Sequence, residues 1–183
     1  MDPAAGRLLI ATPSLADPNF ARSIVLLLDH GDEGAIGVVL NRPLQVEVGR
    51  VLDGWDRLVD QPEVLFGGGP VQTEVALAIA RVPGDEEPMG WRRLAGELGL
   101  LDLDAPVELL EQALSSLRIF AGYAGWSTGQ LEAEIEEGSW IVVPAEPEDP
   151  FLADPGRLWS QVLRRQGGRL AMLATQPEDP ALN

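Results

Sequence analysis

An asparagine, an arginine and a proline stand in a row, Asn41-Arg42-Pro43, directly after the apolar run Ala35 to Leu40. Side chains at such a strand end can be held rigidly. Arg42 would then clamp a carboxylate or phosphate through two parallel N–H bonds while Asn41 reads a second polar group. The same pair also has a plain structural use, with Arg42 bound to one of twenty-nine acidic residues and Asn41 closing a turn. The sequence leaves both readings open. Further on, Gly125-Trp126-Ser127 leads into a helix signal, and free N–H groups at a helix start favour an anion. Glu132, Glu134, Glu136 and Glu137 oppose that by making the helix acidic, and the structural alternative is a packed Trp on a capped helix. Gly67-Gly68-Gly69-Pro70 would bring backbone amides up to a phosphate. It lacks the Gly-Lys-Ser/Thr ending of a P-loop and the spacing of a dinucleotide fingerprint, so a tight turn between closely packed segments is the better reading. Taken together as a site, these residues define one expectation: a pocket joining Asn41, Arg42, Gly69, Trp126 and Gln130.

Other chemistries fall away. The one histidine, His30, sits among Asp29, Asp32 and Glu33, which suggests a divalent cation. The spacing fits no metal motif, including the EF-hand loop, and the stretch reads as a solvated acidic turn. Ser-His-Asp catalysis would have to use His30, yet no Gly-x-Ser-x-Gly elbow presents a serine. Glu132 and Glu136 share a helix face, but glycosidase carboxylates must flank a groove with one pKa raised, and a solvated face is the simpler reading. The chain has no cysteine, hence no disulfide, thiol nucleophile or thiolate metal site. It has no lysine either, which removes Schiff-base chemistry and the P-loop amine. No catalytic residue, no metal site and no cofactor motif emerges.

The 183 residues suit a single domain, 1–183, with a core of its own. The net charge of −16 disfavours nucleic acid, whose binding needs a basic patch to release counterions. The closest arginine clusters, Arg92-Arg93 and Arg164-Arg165, are two residues each. The N-terminus lacks the basic and apolar regions of a signal peptide, and the longest apolar run, Ile24 to Leu28, is far short of a membrane span. A cytoplasmic protein with no membrane association is expected.

The elements that must position these residues can be read in order. Arg7 to Thr12 is an apolar strand stopped by Pro13, and Asp17-Pro18-Asn19-Phe20 is a turn. Ser23 to Leu28 and Ala35 to Leu40 form the clearest hairpin, with Pro43 ending the second strand. Helical spacing of Val48, Val51 and Leu52 predicts a short helix over Val46 to Leu52. Val64 to Phe66 is a strand, and Val75 to Val82 reads as a strand buried on both faces. Leu98 to Leu103 is a further strand. Asp104 would cap a helix carrying Val107, Leu110, Leu114 and Leu117. Ile119 to Ala124 runs as a strand into Gly125, and Ser127 and Gln130 form a capping box. Leu131 and Ile135 give the next helix its apolar stripe, and Gly138 ends it. Trp140 to Val143 is a strand. Pro155 opens the last helix, on Leu158, Trp159, Val162 and Leu163. Leu170 to Ala174 is apolar and of open type, and a Pro-rich tail runs from Thr175 to Asn183. Strands arrive in pairs before helices, so the class is α+β with a mixed, mostly antiparallel sheet.

Several blocks fall into one pattern: Arg7 to Pro13, Asp17-Pro18-Asn19-Phe20, Ser23 to His30 and Gly37-Val38-Val39-Leu40-Asn41-Arg42-Pro43. To these belong Gly68-Gly69-Pro70-Val71, Gly122-Tyr123-Ala124-Gly125-Trp126 and Gly129-Gln130-Leu131-Glu132. In this order, and over nearly the whole chain, they resemble the YqgE/AlgH family of bacterial proteins. Ser127-Thr128 stands where that family more often has Gly or Ser followed by Pro or Ala, a conservative change at a helix start. The resemblance implies a compact fold whose sheet splits and curls into a pseudo-barrel with flanking helices. It implies no catalytic residues, and one branch takes its name from a suspected regulator. The expectation is a non-enzymatic cytoplasmic module that binds a small ligand or a protein partner, with a regulatory role attached. The alternative is an enzyme acting on a small anionic substrate through Asn41 and Arg42, and a DNA-binding regulator stands behind both.

Overall fold

The computed structural model describes residues 4–176. In chain order its strands are β1 (Leu8–Ala11), β2 (Ile24–Gly31), β3 (Gly34–Val39), β4 (Pro43–Glu47) and β5 (Val64–Gly67). They continue with β6 (Val71–Arg81), β7 (Trp91–Ala95), β8 (Leu98–Leu101), β9 (Ser116–Trp126) and β10 (Trp140–Val143). The helices are short: α1 (Val48–Val51), α2 (Val107–Leu110), α3 (Gln130–Glu136), α4 (Leu158–Gln166) and α5 (Gly168–Leu173). The main path of the sheet runs β10-β1-β2-β3-β9-β6-β8-β7, with β4 and β5 set on the side of β9. All pairings are antiparallel except β5 with β9. The class is α+β, and the mostly antiparallel sheet curls into a half-barrel.

Unbroken apolar runs in β1 and β2 are explained by covering both faces. Leu8, Ile10, Ile24 and Leu26 point into the main core, where α4 packs Leu158, Trp159, Val162 and Leu163 against them. Leu9, Ala11, Val25 and Leu27 point the other way, into a second cluster with Trp126, Leu131 and Trp140. Each fully buried aliphatic side chain contributes roughly 1.5–3 kcal/mol, so two covered faces make these strands the stable heart of the molecule. A third cluster, with Leu117, Ile119, Ala78, Ala80, Trp91 and Leu101, fills the β6–β8 end.

The long strand β9 organises the rest. Phe120 and Ala121 pair with Phe66 and Gly67 of β5, and the same two residues pair with Leu77 and Ala76 of β6. A strand has only two edges, so β5 and β6 flank β9 on opposite sides. The chain must therefore cross over β9 between Gly67 and Val71. Only glycine permits so close a crossing. A Cβ on Gly68 would fall on the Gly122 carbonyl oxygen, and one on Gly69 (φ 150°) would fall on the Tyr123 carbonyl group. Gly122, with φ 78°, kinks β9 at that point, and a Cβ there would lie 2.6 Å from the Gly69 oxygen. The Gly-rich stretch is thus the tight turn between packed segments that its composition suggests.

Several elements differ from expectation. Pro43 starts a strand, β4, rather than ending the chain's run. It sits at the first position of an edge strand, where its missing N–H is tolerated, and the helix is confined to Val48–Val51. β7 has no strong apolar alternation and was not expected. The helix expected from Asp104 to Leu117 is only Val107–Leu110, with Pro106 rather than Asp104 at its N-cap. Leu117 belongs instead to β9, because pairing with β6 overrides the helical spacing. β6 is buried only near its end, at Ala78, Ile79 and Ala80, while Val75 and Ala76 face solvent. Leu170 lies in α5, and the far end of the Pro-rich tail, 177–183, lies outside the described residues. Among the described residues no helix is long and apolar enough to cross a membrane.

Candidate functional site

Asn41 and Arg42 come first, since the sequence left their use open. The Asn41 side chain imitates a strand partner. Its Nδ2 donates to the Arg22 carbonyl at 3.0 Å, and its Oδ1 accepts the Ile24 N–H at 3.0 Å. Arg42 donates from Nη1 to the carbonyls of Pro18 (2.8 Å) and Asn19 (2.6 Å), and from Nη2 to that of Ala21 (2.8 Å). Burial lowers the guanidinium pKa, and the nearby Asp17 partly offsets this. Together the two residues staple the Asp17 to Ser23 turn to the end of β3.

Trp126 and Gln130 are committed in a similar way at the start of α3. Trp126 packs with Phe20 and Trp140, ring centroids 6.2 and 5.9 Å away. The indole N–H groups of Trp126 (3.3 Å) and Trp140 (3.1 Å) both donate to Oε1 of Glu134, and Gln130 Nε2 donates to its Oε2 at 2.9 Å. Gln130 Oε1 accepts the Ser127 N–H at 2.9 Å, so one half of the predicted capping box is present. Gly129 occupies the N-cap position itself. Glu134 is the hub of this aromatic corner and does not sit on a merely solvated face.

His30 corrects the reading of a solvated turn. The side chain is buried, facing α3, with Nδ1 accepting the Ala4 N–H at 3.0 Å. Nδ1 being an acceptor, the ring proton is on Nε2 and is donated to the Glu132 carboxylate. That hydrogen bond holds the Glu132 carboxyl below its ordinary range. The reversal arises from strand geometry: alternate residues of a strand point to opposite faces, so His30 turns inward while its neighbours turn out. Among the described residues, no group of His, Asp and Glu is arranged to hold a metal ion.

Two depressions lie where the sheet face of the main core runs out to solvent. The larger, about 720 Å³, is lined by Ile36, Val71, Tyr123, Gly125 and Trp126, with Asp29, Asp32 and Glu33 at the rim. Ile36 lies on the same face of β3 as the core residue Val38, yet it is 40% exposed, a large aliphatic side chain left facing water. Ile36 pairs with Gly125 and Val71 with Tyr123 across β9, so the floor is a ladder of backbone and apolar side chains. The smaller depression, about 400 Å³, is lined by Asn19, Arg42, Leu44, Gly69, Pro70, Thr73 and Ala121. The crossing segment, from Gly69 to Val71, contributes to both. Of the five expected site residues, Arg42 and Gly69 thus share the smaller depression and Trp126 lines the larger. Asn41 and Gln130 line neither. The sequence reading passed over the larger cleft because Ile36, Val71 and Tyr123 come from three strands whose pairing a sequence does not print. The signal that was present is Tyr123 itself, the only tyrosine, between two glycines of β9.

The fold is that of an AlgH-like protein. The family model described as AlgH-like matches residues 8–171. The chain belongs to that family. A UPF0301 protein of Streptomyces avermitilis is 59% identical over 182 residues, covering 97% of this chain and 94% of the relative. A UPF0301 protein of Mycobacterium tuberculosis is 47% identical over 182 residues, covering 98% and 90%. The crystal structure of a Corynebacterium diphtheriae protein superposes with a TM-score of 0.89 at 34% identity, covering 96% of this chain and 94% of that one. The solution structure of AlgH from Pseudomonas aeruginosa gives 0.68 at 31% identity, covering 94% and 93%.

Proposed function

We propose that this protein is a non-enzymatic binding module of the cytoplasm, and that its site is the larger cleft over β9. One observation carries the reading: a cleft of about 720 Å³ whose apolar floor leaves Ile36 exposed and Val71 and Tyr123 half-buried, in a molecule that otherwise buries both faces of its central strands. Uncovered apolar surface rimmed by polar groups marks a binding site, because covering it releases water at no cost in buried charge. Of the expected anchors only Trp126 borders this cleft, and its ring is buried against Phe20 and Trp140, while Asn41 and Gln130 spend their hydrogen bonds inside the fold. A regulatory role fits a module that binds without transforming its ligand. Nucleic acid fits poorly, since the rim carboxylates repel phosphate.

The second reading, an enzyme or anion site at Arg42 and Gly69, has the smaller depression in its favour. Against it, the Arg42 guanidinium already donates to three carbonyls. A thermal-shift panel of metabolites, nucleotides, divalent ions and short peptides separates the two. A ligand at a hundredfold excess over its Kd stabilises the fold by about 2.7 kcal/mol. Gly125→Leu is the blocking variant, because a Cβ at Gly125 meets open space and its backbone needs no left-handed φ. The proposal expects a hit that Gly125→Leu removes and Arg42→Ala retains. The opposite pattern moves the site to the smaller depression.

A further inference from the structure

The larger cleft has a marked charge as well as an apolar floor. Asp32 and Glu33, in the turn between β2 and β3, stand on its rim, exposed, and neither has an ion-pair partner among the described residues. Asp29 joins them but also borders a neighbouring depression that contains Arg92 and Arg93, so part of its field is met there. Elsewhere several of the acids are answered: Glu97 by Arg81, Asp149 by Arg165, Glu111 by Arg57 and Glu47 by Arg50. Other acids of the chain also lack a partner, but here the charges border an apolar floor, and among the described residues no arginine lines the cleft. A molecule of net charge −16 adds a long-range attraction for positive partners on top of this local field.

Resting on the binding-module reading above, we infer that the occupant of this cleft is a basic segment of a partner polypeptide, with arginine or lysine side chains on Asp32 and Glu33 and an aliphatic side chain on Ile36, Val71 and Tyr123. Three features favour a peptide over a free small amine. The cleft is broad and open rather than enclosed, its floor is apolar over three strands, and the acids lie only along one margin. A small polyamine would satisfy the rim and leave the floor wet. An amphipathic chain meets both at once, since apolar contact supplies affinity and rim charge supplies the rate of encounter and the choice of partner.

The test uses the full chain and a fluorescent, end-blocked peptide of alternating leucine and arginine, with fluorescence anisotropy as readout. A leucine–glutamate peptide and spermidine serve as comparison ligands. The double variant Asp32→Asn/Glu33→Gln removes the rim charge. Asp85→Asn/Glu86→Gln removes the same charge from an exposed loop that does not line the cleft. We expect the basic peptide to bind and the acidic one not to. We expect the rim variant to lose about tenfold in affinity while the loop variant keeps it, the loss shrinking as salt is raised. Equal loss in both variants would mean diffuse attraction to an acidic surface and would overturn the inference. So would displacement of the peptide by spermidine at comparable affinity, which would make the occupant a small amine. Absence of peptide binding while another ligand remains sensitive to Gly125→Leu would overturn the basic-peptide assignment and leave the binding module standing. If no ligand of any class is sensitive to Gly125→Leu, both fall.

Discussion

Arg42 shows how one residue type serves two chemistries that a sequence cannot separate. A guanidinium after a strand end looks the same on paper whether its five donors face a ligand or the protein's own carbonyls. Here they close the Asp17 to Ser23 turn, which also explains why the Asp-Pro-Asn-Phe and Asn-Arg-Pro blocks occur together: each is the other's partner. His30 teaches the complementary lesson. Its acidic neighbours in sequence suggested exposure, whereas its partners, Ala4 and Glu132, are distant in sequence and come together only in the fold. The Glu132 contact has a consequence for pH. The carboxyl titrates lower in the folded state than in the unfolded chain, so the unfolded state binds more protons as pH falls. The stability it contributes is therefore complete above the ordinary carboxylate pKa of about 4.3 and is lost as pH drops below it. Urea unfolding between neutral pH and about pH 3 should show the native protein losing more stability than Glu132→Gln, which keeps an acceptor for His30 but cannot titrate. Equal losses would remove Glu132 from the acid response.

Elements were legible where their signals are local. The β2–β3 hairpin, the Gln130 cap, the α4 stripe and the close packing at Gly67 to Gly69 all follow from patterns within a few residues. The short edge strands β4 and β7 were not legible, because what defines them is pairing with β5 and β8 rather than their own pattern. The helix expected to reach Leu117 failed for the same reason, since Leu117 is held in β9 by its pairing with Ala80 of β6. The crossing over β9 gives the strongest element-scale prediction. Gly69→Ala places a Cβ on the Tyr123 backbone, at a φ that L residues rarely adopt, and neither backbone segment can withdraw without breaking its ladder. We expect a loss of about 3 kcal/mol or more, or failure to fold, measured as the urea midpoint. Gly125→Leu, three residues past the kink and facing open space, should by contrast leave the midpoint unchanged or raise it.

At the scale of the whole molecule, the family's motif blocks are mostly locks between distant segments of one curled sheet, and the cleft is what those locks leave open. The turn holding Asp32 and Glu33, the kinked β9 and the crossing at Gly69 to Val71 meet at its margins. The expected pocket does not form as one cavity: Trp126 lines the larger depression, Arg42 and Gly69 line the smaller, and Asn41 and Gln130 line neither. Val71 and Tyr123 stand in the family blocks and Ile36 in none, yet none of the three reads as a site residue, because an apolar residue in a strand looks like core until the sheet's edge is known. The measurement that bears most directly on the account is an NMR titration of the isotope-labelled protein with the leucine–arginine peptide, mapping amide shifts along the chain. The account predicts shifts concentrated at Asp29 to Ile36, Val71 and Tyr123 to Trp126. Shifts centred instead on Asn19, Arg42, Leu44 and Thr73, or scattered over the acidic surface, would contradict it.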